Sequence, residues 1–127
     1  MALPLVSTDE RIEVVISIDP DIVLRKRKPV KCIKKSDAKI NGGCPTVFIL
    51  RPLRAREIMR LIETVQISTA EATYTACELA ITEIVSEKGV VDKSSEISDY
   101  LDRLPLGVAG AISDFIYDHS TSPKDPT

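Results

Sequence analysis

The sequence predicts an α+β fold, with a small N-terminal antiparallel β-unit followed by a bundle of about four helices. Two observations predict it. Apolar residues recur with a period of two between residues 12 and 18, and with helical spacing after Pro52. Glycine, proline and serine then divide the second part of the chain into helix-length pieces. Strands are therefore expected first and helices afterwards.

Length and composition indicate one globular domain. The 127 residues suit a single core, and the apolar share of 43% and charged share of 28% are ordinary for such a domain. The last eight residues contain two prolines and no apolar pattern. The predicted organisation is a flexible arm at 1–10, one domain at 11–120 divided after residue 51 into a β-unit and a helical part, and a disordered tail at 121–127.

The strands are predicted from alternation and from turn residues. The first strand is expected over residues 12–18, where only Val15 interrupts the alternation. The later signals, in chain order, are a turn at Asp19-Pro20-Asp21, a short strand at 22–24, a turn at Asn41-Gly42-Gly43, and a strand at 46–51 that ends before Pro52.

The first two helices are predicted from apolar stripes and a capping box. Ser68 and Glu71 have the spacing in which each side chain can bond the other residue's backbone N–H, so a helix start is expected there. Gly89 is expected to stop that second helix in a left-handed conformation. The apolar positions are Ala55, Ile58, Met59, Ile62 and Val65 in the first helix, and Tyr74, Cys77, Ile81, Ile84 and Val85 in the second.

Two more helices are predicted before the tail. Ser94 or Ser95 is expected to cap the third, and Pro105 fits the first turn of the fourth, where its missing N–H costs nothing. Their apolar faces are Ile97, Tyr100, Leu101 and Leu104 in the third helix, and Val108, Ala109, Ile112, Phe115 and Ile116 in the fourth.

Charge and hydropathy argue against several classes of protein. The net charge is −2 with both signs mixed, so no overall field attracts nucleic acid or an anionic membrane. No apolar run reaches 18 residues, and no basic-then-apolar stretch opens the chain, so neither a transmembrane helix nor a secretory signal is predicted.

The three cysteines are expected to be free thiols with Cys77 in the core, although a Cys32–Cys44 disulfide is an alternative.

The sequence predicts no enzyme, no cofactor-binding residue and no metal ligand. A nucleophile needs a neighbouring base and an orienting group, and the chain has one histidine, His119, expected to be exposed at a helix end. The glutamates mostly lie off the apolar stripes and are expected on solvated helix faces. One histidine and three dispersed cysteines do not have the spacing of a zinc site.

Two basic clusters are candidate binding sites. The run 25–39, with seven Lys or Arg between residues 25 and 35, could contact phosphates or an acidic partner, or could be a solvated strand pair whose lysines protect a sheet edge. Arg54 and Arg56 lie at the positive end of the first helix, where cations are disfavoured, so they and Arg51 are predicted to bind a partner. The alternative for these arginines is salt bridging to Glu57 or Glu13.

The stretch 48–57, Phe-Ile-Leu-Arg-Pro-Leu-Arg-Ala-Arg-Glu, resembles a pattern of the tail assembly chaperones of long-tailed bacteriophages, in which a strand passes through Arg-Pro-Leu into a helix opened by an acidic residue. The resemblance extends over residues 46–120. It continues with Glu87-Lys88-Gly89-Val90-Val91-Asp92, Ile97, Leu101, Leu104-Pro105 and Ala111-Ile112. The chain lacks the tryptophan that members commonly carry before the glycine, and its basic N-terminal third is not part of the pattern.

The resemblance implies a non-enzymatic helper in the host cytoplasm that binds tail proteins, chiefly the tape measure or the tail tube, and that could also self-associate. Such a helper needs an apolar groove for a partner helix, and Ala109 and Gly110 are predicted to line one. An alternative is a structural subunit of the virion, such as a connector, tail or baseplate component. A nucleic-acid-binding regulator using the run 25–39 is a third, less favoured hypothesis.

Overall fold

The computed structural model describes residues 9–19, 30–40 and 43–121. The α+β class, the antiparallel strands and the four helices are confirmed. In chain order the elements are β1 (Ile12–Ile16), β2 (Cys32–Lys34), a 3₁₀ turn (Lys35–Asp37), β3 (Val47–Leu50), α1 (Ala55–Ile67), α2 (Thr69–Ala80), β4 (Ile81–Ser86), β5 (Gly89–Val91), α3 (Ser94–Asp102) and α4 (Leu106–Thr121).

The strands form one antiparallel sheet in the order β2-β1-β3-β4-β5. At its centre Val14 pairs with Phe48, and Phe48 pairs with Ile84. These three side chains point to the same face and are buried with the helices in the main core. Val15 and Val47 point to the other face, where residues of the segment 35–40 partly cover them. The sheet is therefore apolar on both faces near β1 and β3.

The second helix ends nine residues earlier than Gly89, because the chain changes at Ala80 from helix to strand. The predicted continuous helix is wrong, although the spacing of Cys77, Ile81 and Ile84 fits a helical stripe. The segment 81–85 is rich in β-branched residues, which pack well in a half-buried sheet, and pairing with β3 decides its conformation.

Gly89 does need the left-handed freedom that the sequence predicts, with φ of 121°. It lies directly after the Glu87-Lys88 turn, where Ser86 pairs with Gly89 to close the β4–β5 hairpin. The sheet is thus completed by a hairpin that comes between α2 and α3 in the sequence, rather than by the N-terminal β-unit alone.

Helix α2 is packed against α1, α3 and α4. Its buried positions are small, which lets the neighbouring helices approach closely: Ala72, Ala76, Cys77 and Ala80. The thiol of Cys77 donates to the carbonyl of Ala109 in α4 at 3.3 Å. The hydroxyl of Tyr74 donates to the carbonyl of Ser98 at 2.9 Å, which joins α2 to α3.

Both ends of the described chain are held. Glu10, within the predicted arm, lies 3.2 Å from the ring of His119, measured from Oε1 to Nε2, and α4 continues to Thr121. The predicted strand at 22–24, the turn residues 41–42, and the remainder of the arm and of the tail lie outside the described residues. The three cysteines are free, and Cys77 lies in the core as predicted.

Candidate partner-binding groove

Helix α1 has more apolar residues than the core covers. Ile58 and Leu61 are buried, but the neighbouring Met59, Ile62 and Val65 are 61%, 46% and 49% exposed. Of the five residues of the predicted apolar face, only Ile58 lies in the core; the other four are exposed, and the second buried residue, Leu61, was not part of the predicted face. Exposed apolar side chains that stand next to each other are typical of interaction surfaces, whereas single ones need no explanation.

Ile62 and Val65 of this exposed surface, but not Met59, line one wall of a groove. We call this the apolar groove: α1 and Tyr117 of α4 form its sides, and α2 forms its floor. It has a volume of about 350 Å³, at the lower end of the range for ligand sites. The lining residues are Leu61, Ile62, Val65, Gln66, Thr69, Ala72, Thr73, Ala76, Ser113, Asp114 and Tyr117.

The floor of the apolar groove is apolar and its rim is polar. Ala72 and Ala76 have no side chain beyond Cβ, so the groove is open where α2 passes beneath it. Thr73 and Ser113 add hydroxyl groups, and Asp114 adds a carboxylate. An apolar centre with hydrogen-bonding groups around it is the usual composition of a protein interface. The arrangement can take up apolar side chains from a partner helix.

Arg51, one of the predicted binding residues, is held within the fold. Its two terminal nitrogens donate to the two carboxylate oxygens of Glu57 at 2.9 and 2.8 Å. Glu57 also accepts from the backbone N–H of Arg54 at 3.0 Å, so it joins the end of β3 to the first turn of α1. The hydrogen bonds from Arg51 lower the pKa of Glu57, and the same pair raises the pKa of Arg51. Arg51 thus forms one of the salt bridges considered as the alternative, to Glu57.

Arg54 and Arg56 are exposed at the start of α1 and lie outside the apolar groove. Neither forms an ion pair with another residue in the described ranges. Their role in partner binding stays a prediction. Glu13, the other acid considered for them, lies 3.5 Å from Lys35 instead.

The small residues of α4 do not line the apolar groove. Ala109 is buried against α2, and Gly110 is half-buried one residue further on. The groove begins about one turn later in α4, at Ser113. Sequence reasoning missed Ile62, Val65 and Tyr117 as groove residues. The available signal was that seven of the 13 residues of α1 are apolar, more than one buried stripe requires.

The histidine, cysteine and acidic side chains of the described residues are spread over the fold. Burial raises the pKa of both Cys32 and Cys77 to about 12, so these thiols are protonated at neutral pH. Among the residues that the structure describes, no three His, Cys, Asp or Glu side chains are grouped to hold a metal ion. His119 is half-buried and stacks on Phe115, unlike the exposed position expected for it.

The basic run lies partly outside the described residues, which include none of 25–29. The lysines of its described part, Lys31, Lys34, Lys35 and Lys39, are exposed around β2, at the edge of the sheet. Lysines on an edge strand also discourage pairing with other chains, so this placement fits both alternatives left open by the sequence.

No protein family, curated protein or solved structure matches the chain. Within residues 9–19, 30–40 and 43–121, no helix is long and apolar enough to cross a membrane.

Proposed function

We propose that this chain is a non-enzymatic tail assembly chaperone of a long-tailed bacteriophage, which binds an apolar helical segment of a tail protein such as the tape measure in the host cytoplasm. The observation that carries the proposal is the apolar groove, with exposed Ile62 and Val65 on one side and Tyr117 on the other. The resemblance of residues 46–120 to that family supports the choice of partner.

The size of the exposed apolar surface suits a partner that is bound and later released. Complete burial of a Val or Ile side chain is worth about 1.5–3 kcal/mol, and about half of Ile62 and of Val65 is already covered. Burying the remainder, together with Tyr117, contributes on the order of 2–5 kcal/mol. Part of this is lost to the entropy of association, so the groove alone supports moderate affinity.

The polar rim also suits a helical segment. A partner helix places apolar residues on one face and polar residues on its sides, where Thr73, Ser113 and Asp114 can bond them. Asp114 makes no ion pair within the described part of the chain, so it is available to a lysine or arginine of the partner.

Co-expression with a tape measure protein of a long-tailed phage tests the proposal. We expect the chain to move the tape measure from the insoluble to the soluble fraction and to be missing from mature particles. The groove variant, Ile62→Gln with Val65→Gln, should lose this effect. Leu106→Gln is the control, because Leu106 is an exposed apolar residue of α4, 65% exposed, that lies outside the groove.

Mass spectrometry of purified virions separates the proposal from its main alternative. Stoichiometric amounts of the chain in finished particles would contradict a chaperone and would favour a structural subunit. Equal solubilisation by the groove variant and the wild type would show that the apolar groove is not the binding site.

A further inference from the structure

The sheet ends at β5 with a strand that is paired on one side only. Val90 pairs with Val85 of β4, and no other described strand lies beyond β5. An edge strand presents N–H and C=O groups that can pair with another chain. Gly89 and Val90 of this short strand are exposed, Val90 to 58%, and Val91 is half-buried. The edge is therefore open to a further strand.

Helix α3 lies beside this edge, and a second groove separates the two elements. We call it the edge groove; its apolar lining is Val90 and Val91 of β5 with Tyr100 and Leu104 from the α3 side, and its volume is about 470 Å³. The ring of Tyr100 is fixed by an edge-on contact with Phe48, at 6.2 Å between ring centroids. An open strand with an apolar groove between it and a helix is the arrangement in which extended peptides are bound by strand addition.

Two cations indicate the charge of the occupant. Lys88 and Arg103 both line the edge groove, and none of its lining residues is acidic. Lys88 makes no ion pair with another described residue, and Arg103 approaches Asp99 only at 3.8 Å, with both side chains largely exposed. Such an exposed pair contributes little, so Arg103 can exchange it for a carboxylate of a ligand. The other acids of α3, Glu96 and Asp102, lie outside the lining.

We propose that the edge groove binds an extended peptide segment that adds a sixth strand beside β5. The segment has apolar side chains at alternate positions, which enter the groove against Val91, Tyr100 and Leu104. It also has a carboxylate, from Asp, Glu or a chain terminus, which pairs with Lys88 and Arg103. This site differs from the apolar groove in its residues and in the shape of its ligand, and it does not depend on the proposed function.

Selection from a displayed library of random decapeptides, followed by nuclear magnetic resonance titration, tests this inference. We expect enriched sequences with alternating apolar residues and at least one carboxylate. A selected peptide should shift the amide signals of 89–91 and of α3, and methylation of its alternate backbone nitrogens should abolish binding, because strand addition needs those N–H groups. Absence of enrichment, or binding weaker than a Kd of about 1 mM, would overturn the inference.

Charge reversal provides the second readout. Lys88→Glu with Arg103→Glu should weaken a selected peptide at least about tenfold, equivalent to ~1.4 kcal/mol. Arg60→Glu is the control, because Arg60 is an exposed cation of α1 outside the edge groove, and its effect should stay within about twofold. Thermal melts establish that each variant is folded.

Three further outcomes would overturn the inference: equal binding by the charge-reversed variant, selected peptides rich in Lys or Arg, and signal changes confined to α1 and α4. Formation of a dimer through β5, seen as a doubled mass in light scattering together with loss of peptide binding, would assign the edge to a second copy of the chain instead.

Discussion

Helices α1 and α4 flank the same groove but use their apolar residues differently. In α4 four of the five residues of the predicted stripe are buried and Phe115 is partly buried; the buried four are Val108, Ala109, Ile112 and Ile116. In α1 only Ile58 and Leu61 are buried, while three neighbouring apolar residues remain near half exposed or more. The hydroxyl of Ser120 also accepts a buried hydrogen bond from the backbone of Leu53 at 2.8 Å, which anchors the end of α4.

This difference indicates how to separate stability from binding in one small domain. Removing a buried side chain of α4 leaves a cavity, so the cost falls on folding. Removing an exposed side chain of α1 leaves the core intact, so it should lower the affinity for a partner in the apolar groove rather than the stability of the fold. Substitutions on the buried face of α4 should therefore lower stability, whereas substitutions on the exposed face of α1 should lower partner binding.

The largest effect on stability is expected from α4. Ile112 is fully buried, so Ile112→Ala should lower the free energy of unfolding by about 2–5 kcal/mol. Leu106→Ala, at an exposed position of the same helix, should change it by less than about 0.5 kcal/mol. Urea titrations of both variants provide the measurement. Similar free energies of unfolding for the two would mean that the buried face of α4 has been identified incorrectly.

A smaller loss of stability is expected when the salt bridge between Arg51 and Glu57, at the start of α1, is broken. Glu57→Gln keeps the shape of the side chain but removes its charge, and should cost about 1–2 kcal/mol at neutral pH, because bonds to charged groups are stronger than neutral ones. Arg56→Gln, an exposed arginine one residue earlier, is the control and should be within about 0.5 kcal/mol of the wild type.

The same pair predicts a dependence on pH. The pKa of Glu57 is lowered from 4.5 in the folded protein, so its contribution is complete above that value and is lost as the pH falls through the lowered folded pKa. Arg51, whose pKa is raised above its ordinary value by the hydrogen bond to Glu57, stays protonated throughout. Glu57→Gln should therefore show a flatter decline of stability below pH 4.5 than the wild type. Parallel declines would assign acid sensitivity to other carboxylates.

Removing the cap at the junction between α1 and α2 is expected to lower stability by a comparable or smaller amount. The hydroxyl of Ser68 accepts from the backbone N–H of Glu71 at 3.2 Å, which caps α2. Ser68→Ala should cost about 0.5–2 kcal/mol, and Ser68→Asp, which retains an acceptor, should cost less. An unchanged thermal midpoint in Ser68→Ala would show that this cap contributes nothing.

The smallest effect on folding is expected from the groove variant. Ile62 and Val65 are about half exposed, and glutamine forms helices at least as well as isoleucine or valine, so their joint replacement should change stability by less than about 1 kcal/mol. A much larger loss in a urea titration would mean that these side chains belong to the core, and the contrast between α1 and α4 would disappear.

The sequence was most informative where one periodicity matched one burial pattern. The stripe of α4, the buried Ile97 and Leu101 of α3, and the cap at Ser68 follow directly from spacing. It was least informative at 81–86, because a short apolar run fits both a helix and a strand until its neighbour is known. Here β3 supplies that neighbour, and pairing across the sheet decides the conformation.

The sequence indicated the apolar character of the candidate groove but not its position. Apolar helix faces indicated a protein-binding groove, but the sequence placed it at Ala109 and Gly110 because small residues permit close approach. In the structure, α2 packs closely against α4 at Ala109, whose carbonyl accepts a hydrogen bond from the thiol of Cys77, so this part of α4 is already buried. The groove therefore lies further along α4. Which part of an apolar stripe remains exposed depends on how the helices cross, and this is not encoded in spacing alone.

Calorimetric titration of the wild type and the groove variant with helical segments of a tape measure protein tests the central claim most directly. We expect the wild type to bind with a negative heat-capacity change and little dependence on salt, because apolar burial drives binding. The variant should bind at least about tenfold more weakly, since about 1.4 kcal/mol is lost with the two side chains. Equal affinities for the two proteins, or binding that disappears with added salt, would contradict the claim that the exposed face of α1 is a partner-binding surface.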